Sequence, residues 1–231
     1  MSGFVSFDLF RFVKLSPSGI QRKLALGLPG PSAQWLMAPA NRPQQTAEQE
    51  WYTRSAVLIL ILFGGNEPEI VFIRRASYNG VHSGQIGFPG GKFEPDEHSA
   101  AEVALREANE EIGINRSDVE ILGALSPLHI PVSKMRVEPI LAVSEMMPQF
   151  VRNEREVEEI LVKPLDFFLQ IDNIVAYELK QFIGEIRKVP AFNTKPVPIW
   201  GATAMIMSEL LTLVYDAHWL HVAQRNFYKN Q

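Results

Sequence analysis

Three glutamates, Glu107, Glu110 and Glu111, stand at i, i+3 and i+4 in the stretch LREANEEIGI, Leu105 to Ile114. On an α-helix this spacing puts all three carboxylates on one face, within an arc of about 100°. Like charges at such spacing repel by roughly a few tenths of a kcal/mol per pair. They also fall in the last turns before Gly113, where the helix dipole favours cations. Local helix rules are thus broken twice, as happens where side chains serve chemistry rather than stability. A hard divalent cation removes the conflict, because magnesium is held by a few carboxylates together with substrate phosphates. A solvated acidic face is the other reading of the same three residues.

The elements that must carry these acids are marked in the chain. Ser99 followed by Glu102 has the form of a capping box, and Gly113 is a stop signal, which predicts a helix from about Ser99 to Ile112. Its apolar stripe is Ala101, Leu105, Ala108 and Ile112. Upstream lies HSGQIGFPGGKFEPDE, His82 to Glu97. Its glycines Gly84, Gly90 and Gly91 suit either an ordinary strand-to-helix connection or a loop that brings backbone close to a phosphate. SAVLILILF and EIVFIRR read as two strands of a hairpin joined through Gly64 to Pro68. VEILGALSPLHIPV and VEPILAVSE read as further strands, and EREVEEILVKPLDFFLQ as a loop, a strand and a short helix. AYELKQFIGEIRKVPAFN reads as paired strands, and IWGATAMIMSELLTLVYDAHWLHV as a long apolar helix. Mixed strands and helices of this kind indicate an α/β or α+β sandwich.

Taken as one string, Gly91 to Ile114, GKFEPDEHSAAEVALREANEEIGI, resembles the Nudix box of the Nudix hydrolases. The usual form is G, five residues, E, seven residues, then R-E-U-x-E-E-x-G-U, with U aliphatic. Gly91 and Glu97 keep the five-residue gap, and Arg106-Glu107 through Ile114 match. Eight residues rather than seven separate Glu97 from Arg106, and Ala108 is smaller than the usual aliphatic residue. The resemblance implies α/β class, a Nudix α/β/α sandwich with a mixed sheet. It implies Mg²⁺ or Mn²⁺ as cofactor, held by Glu107, Glu110 and Glu111 against a substrate diphosphate. Glu97 and Arg106 match the pair that orients loop and helix. The general base is either a helix glutamate such as Glu110 or a downstream carboxylate among Glu154, Glu156 and Glu158, of which Glu156 is favoured.

The eight-residue gap resembles the coenzyme A pyrophosphatase branch of that family. The branch carries an upstream motif, roughly L-L-T-x-R-S, a few residues, then R-x-x-H-x-G-Q-[VI]-x-F-P-G-G. Here stand Arg75-Ala76, His82, Gly84, Gln85, Ile86 and Phe88 to Gly91, with Gly80 at the second arginine and Val71 to Ile73 for the leading triplet. Arg54, Arg74, Lys92 or Arg136 could supply the missing cation. The substrate-binding residues so implied are Arg75, His82, Gly84, Gln85, Gly90 and Gly91. The reaction implied is hydrolysis of coenzyme A or its thioesters to 4'-phosphopantetheine, acylated or not, and 3',5'-ADP. The rivals are a Nudix pyrophosphatase for another dinucleotide, such as ADP-ribose or NADH, and a non-catalytic nucleotide-sensing module. All three box glutamates are present, which argues against the sensor.

Bulk composition is consistent with this. A chain 46% hydrophobic and 21% charged has the material for a core. A net charge of −4 and no basic stripe speak against nucleic acid as a partner, and AVLILILF, Ala56 to Phe63, is far too short to span a membrane. The expected partner is a small-molecule nucleotide, and a homodimer is allowed for. Without cysteine there is no disulfide, thiolate zinc site or cysteine nucleophile, which suits a cytoplasmic enzyme. The amino-terminal stretch lacks the pattern of a secretory signal. Residues 1 to 50 are expected to form an extension packed on a domain of 51 to 231. In that extension FDLFRFVKL suits an amphipathic helix, and GLPGPSAQWLMAPANRPQQ an irregular wrap over the surface.

Overall fold

The computed structural model describes residues 15–40, 42, 52–77, 80, 82–180 and 186–215. Its centre is the apolar run of the sequence. Strand β1 (Thr53–Leu62) runs parallel to β7 (Met135–Ser144) along its whole length, from Thr53 opposite Met135 to Leu62 opposite Ser144. Along its other edge β1 meets two strands in turn, both antiparallel. Ser55 to Val57 pair with β4 (Gly90–Lys92), and Ile61 and Leu62 pair with β2 (Glu69–Arg75) through the expected hairpin. Beyond β2 lie β3 (Ile86–Gly87) and β8 (Val157–Pro164), while β5 (Glu120–Ala124) and β6 (Leu128–Ile130) flank β7. The eight strands form one mixed sheet.

Period-2 alternation along β1 builds two cores. Ala56, Leu58, Leu60 and Leu62 face one side, with Val71 and Ile73 of β2, under helix α3 (Ala100–Ile112). Ile59 and Ile61, with Ile70 and Phe72, face the other, under α4 (Gly201–Tyr215). The result is the α/β/α sandwich with a mixed sheet. Each fully buried leucine or isoleucine contributes about 1.5–3 kcal/mol, so this strand anchors both layers. A second, three-stranded antiparallel sheet, β9 (Ile174–Lys180), β10 (Ile186–Phe192) and β11 (Ile199–Trp200), leads into α4.

Two expectations for α3 need correction. Ser99 occupies the N-cap of α3, but its side chain makes no capping hydrogen bond, so the capping box does not form. The buried face of α3 is Val103, Ala104, Leu105, Ala108, Glu111 and Ile112, with Ala101 only half-buried. The stop at Gly113 holds, in the left-handed conformation at φ 74°.

The proline- and glycine-rich segment from Gly27 is not irregular throughout. It carries α2 (Pro31–Gln34) and a 3₁₀ turn at Trp35–Met37, and α1 (Pro17–Leu26) precedes it. Pro17 and Pro31 sit at helix starts, where their missing N–H costs nothing, and the Ser16 side chain accepts from Gly19 N at 3.2 Å as a cap. Ile20, Leu36 and Met37 join the α4-side core. A buried carboxylate fastens the segment: Glu209 of α4 accepts from Gly30 N at 3.2 Å, Ser126 N at 3.2 Å and Gln34 Nε2 at 2.8 Å. The amphipathic helix expected over FDLFRFVKL lies outside the described residues apart from its last residue, the buried Leu15. The far end of the apolar carboxy-terminal helix, beyond Tyr215, lies outside them too. Among the described residues, no helix is long and apolar enough to cross a membrane.

Candidate active site

Two glycines of β4 leave no room for a side chain as the site stands, Gly90 against β1 and Gly91 against α3. A Cβ on Gly90 would stand 2.6 Å from Val57 Cα and nearer still to Ala56 O, the backbone of β1. A Cβ on Gly91 would stand 2.6 Å from Glu107 Oε2 and nearer to Oε1. Gly90 and Gly91 therefore serve close approach, the first to the central strand and the second to a box carboxylate.

Glu111 is the most enclosed of the box acids, 1% exposed. Its Oε2 accepts from Gly90 N at 2.8 Å, and its Oε1 lies 3.8 Å from Arg75 Nη1. Burial pushes its proton affinity up, to a pKa of about 7, although Gly90 N and Arg75 pull the other way. Glu107 and Glu156 add to the upward push. Glu107 is also raised, chiefly by burial; Arg106 opposes this, and Glu110 and Glu156 reinforce it.

Arg106 gathers the rest. Its Nε donates to Glu97 Oε1 at 2.8 Å and its Nη2 to Glu97 Oε2 at 3.1 Å, a two-pronged pair that forms despite the extra residue in the intervening loop. Its Nη1 reaches Glu107 at 3.0 Å and Glu110 at 3.1 Å, and its Nη2 also donates to Lys92 O at 3.2 Å. The hydrogen bond from Arg106 holds the Glu97 carboxyl below the usual range. Glu110 is the outermost box acid, its side chain half exposed.

The loop before β8 is bound to the end of α3. Val151 N donates to Ile112 O at 2.9 Å and Asn153 N to Glu111 O at 3.0 Å, so backbone satisfies the last carbonyls of the helix. Of the three loop acids, Glu154 lies 3.3 Å from Arg152 and Glu158 lies 2.9 Å from Arg74. Glu156 is the one whose charge bears on Glu107 and Glu111. Nothing in the side chains of Val151 and Asn153 signals this docking, because it is made by main-chain groups.

The glycine-rich loop reaches the site through Arg75. His82 Nδ1 lies 3.2 Å from Gln85 Oε1, Gly84 turns the chain at φ 66°, and Gln85 O accepts from Arg75 N at 3.0 Å. Arg75, expected among the substrate contacts, has its guanidinium turned to Glu111. The strand pattern carried the signal: Val71, Ile73 and Arg75 share the α3 face of β2.

Among the described residues, no three carboxylate or imidazole groups converge closely enough to form a ready-made metal cage. Glu107 and Glu110 are turned onto Arg106. The donors nonetheless fit a hard divalent cation in kind: oxygen ligands only, with Glu107, Glu110 and Glu156 each raising a neighbour's proton affinity.

The NUDIX domain family model matches residues 52–182. Nudix hydrolase NudL of Pectobacterium atrosepticum, itself uncharacterized, is 31% identical over 183 residues, covering 79% of this chain and 91% of that relative. NudL of Yersinia pestis is 36% identical over 157 residues, 68% of this chain and 77% of its own length. Nudix hydrolase 15, mitochondrial, of Arabidopsis thaliana is 33% identical over 171 residues, which is 71% of this chain but only 59% of that protein. Among solved structures, a C. elegans Ap4A hydrolase binary complex aligns with a TM-score of 0.42 and 20% identity, over 48% of this chain and 80% of that one. With its box assembled on α3 and β4 and a family match across more than half its length, the chain belongs to the Nudix hydrolases.

Proposed function

We propose that this Nudix hydrolase cleaves the diphosphate of coenzyme A or acyl-coenzyme A, releasing 4'-phosphopantetheine, acylated or not, and 3',5'-ADP. The observation that carries the substrate assignment is the run from Arg75 through His82, Gly84 and Gln85 to the FPGG of Phe88 to Gly91, joined to a box with eight residues between Glu97 and Arg106. The structure ties that run to the acids, since Gln85 O holds Arg75 N and Gly90 N holds Glu111.

In this reading Glu107, Glu110 and Glu111 hold Mg²⁺ or Mn²⁺. The bound cation supplies charge neutralisation of the diphosphate and a water of lowered pKa. The Gly90 and Gly91 backbone sets the distance between loop and carboxylates. Arg106, gripped by Glu97, fixes the face that α3 presents to the loop. Glu156, anchored through Asn153 to the end of α3, is placed to take the proton of an attacking water, with Glu110 the alternative base. His82, Gly84 and Gln85 shape the loop over the substrate. Residues 51–231 act as the catalytic unit, with 1–50 an extension docked on it through the Glu209 clasp.

The test is a side-by-side product assay by mass spectrometry, with Mg²⁺ or Mn²⁺, over coenzyme A, acetyl-coenzyme A, ADP-ribose and NADH. Faster turnover of coenzyme A, with 3',5'-ADP as product, supports the assignment. Much faster turnover of ADP-ribose or NADH refutes it and leaves the pyrophosphohydrolase.

A further inference from the structure

Two arginines serve the acids of this site, and they are held very differently. Arg106 is clamped, with two short bonds to Glu97 and a third to the Lys92 carbonyl. Arg75 is held at its backbone and loose at its head. Its N–H is tied to Gln85 O, and Ala76 N beside it to Glu156 O at 2.8 Å. A β-bulge lies just there: Arg74 pairs with Glu159 and Arg75 with Val157, leaving Glu158 as the extra residue. The guanidinium lies 3.8 Å from Glu111 Oε1, the outer limit of an ion pair, and its side chain is 34% exposed. Its partner carboxylate is fixed by Gly90 and 1% exposed.

A fixed, buried anion facing a tethered, solvent-facing cation is an arrangement in which the cation can leave. We propose that Arg75 is a resident counter-ion of the metal site. It balances Glu111 while no divalent cation is bound, and it turns outward to the substrate diphosphate once one is. This rests on the reading that Glu111 helps to hold a divalent cation. Arg75 is thereby a positioning residue whose single charge acts in opposite directions on the two ligands. It competes with the metal and attracts the diphosphate. A divalent ion about 6 Å from a guanidinium loses roughly a factor of ten in affinity even at the dielectric of water.

The experiment reads binding, not turnover. Mn²⁺ is titrated by electron paramagnetic resonance into wild type, Arg75→Ala and Arg75→Lys without substrate, at alkaline pH so that Glu111 is ionised. Methylenediphosphonate, a diphosphate that resists hydrolysis, is then titrated into each Mn²⁺-loaded protein. Arg75→Ala is expected to bind Mn²⁺ about tenfold tighter and the diphosphonate several-fold more weakly, while Arg75→Lys keeps near-wild-type Mn²⁺ affinity. This opposite movement is not produced by a general loosening of the fold, which weakens both. Unchanged or weaker Mn²⁺ binding in Arg75→Ala overturns the proposal, and so does unchanged diphosphonate binding. Glu111→Gln separates the two readings. If it leaves wild-type Mn²⁺ binding intact, the metal assignment itself fails, whatever Arg75 does.

Discussion

Replacing Gly91 by alanine separates chemistry from folding at the tightest point of the site. Gly91 is not among the residues held at positive φ, so alanine meets no backbone penalty there. Its Cβ would lie 2.6 Å from Glu107 Oε2 and closer to Oε1, whereas ordinary contact begins at 3.4 Å. The carboxylate must therefore retreat by about 1 Å or more, and it can, being the far end of a flexible side chain. A displacement of about 1 Å in a reacting geometry costs on the order of 10²-fold in rate, or about 2.7 kcal/mol of barrier. Stability should change by no more than about 1 kcal/mol. Gly90→Ala is the contrasting case. Its Cβ would meet the Val57 Cα at 2.6 Å, and the backbone of the central strand cannot withdraw. That variant should lose several kcal/mol of stability, as overpacked cores do. Thermal unfolding of both proteins, with Mn²⁺-dependent steady-state kinetics of Gly91→Ala, checks the pair. A folded Gly91→Ala that turns over at the wild-type rate would refute the placing of Glu107 in the reaction. Equal destabilisation by the two substitutions would refute the packing argument.

Metal-free stability should depend on pH through Glu111. Its pKa in the folded protein is raised from 4.5 to about 7, so the protonated form favours the fold. That contribution is fully present below about 4.5 and is lost as pH rises through about 7, amounting to about 3 kcal/mol. Urea unfolding in EDTA should show the fall in wild type and not in Glu111→Gln; equal slopes would exclude Glu111 as the source. Glu209→Ala strips the carboxylate acceptor from Gly30 N, Ser126 N and one N–H of the Gln34 amide, whose other N–H keeps Ser126 O at 2.9 Å. With each buried orphan costing about 1–3 kcal/mol, the loss should be at least about 3 kcal/mol, with earlier proteolysis near residues 27–40. Wild-type stability in that variant would mean that the amino-terminal helices dock by other means. Glu156→Gln should lower kcat far more than Glu154→Gln, because only Glu156 acts on Glu107 and Glu111. Matching kcat values in the two would return the base assignment to Glu110.

Much of this molecule is legible in its residues because period and punctuation agree. The strand pair around Gly64 to Pro68, the stop at Gly113 and the strand and 3₁₀ turn from Val157 to Leu169 follow from local pattern alone. Glu107 and Glu111 were legible as a conflict, acids in a helix end that wants cations. What relieves Glu111 was not, since Arg75 arrives from a strand more than thirty residues earlier. The prolines and glycines of residues 27–45 suit an irregular wrap, whereas Pro31 marks a helix start. Ser99 and Glu102 had the letters of a capping box, but the Ser99 side chain makes no capping hydrogen bond. The docking of residues 151–153 onto α3 is made by main-chain groups, which no side-chain pattern reports.

The proposed role of the box carboxylates on α3 is to direct metal-dependent cleavage of a coenzyme A diphosphate. The direct measurement is mass-spectrometric product analysis of coenzyme A incubated with Mg²⁺ or Mn²⁺ and wild type, Glu110→Gln or Glu111→Gln. The expected result is 4'-phosphopantetheine and 3',5'-ADP from wild type, with turnover abolished in both variants and in wild type with EDTA. Undiminished turnover in both variants, or no 3',5'-ADP from wild type at all, would contradict it.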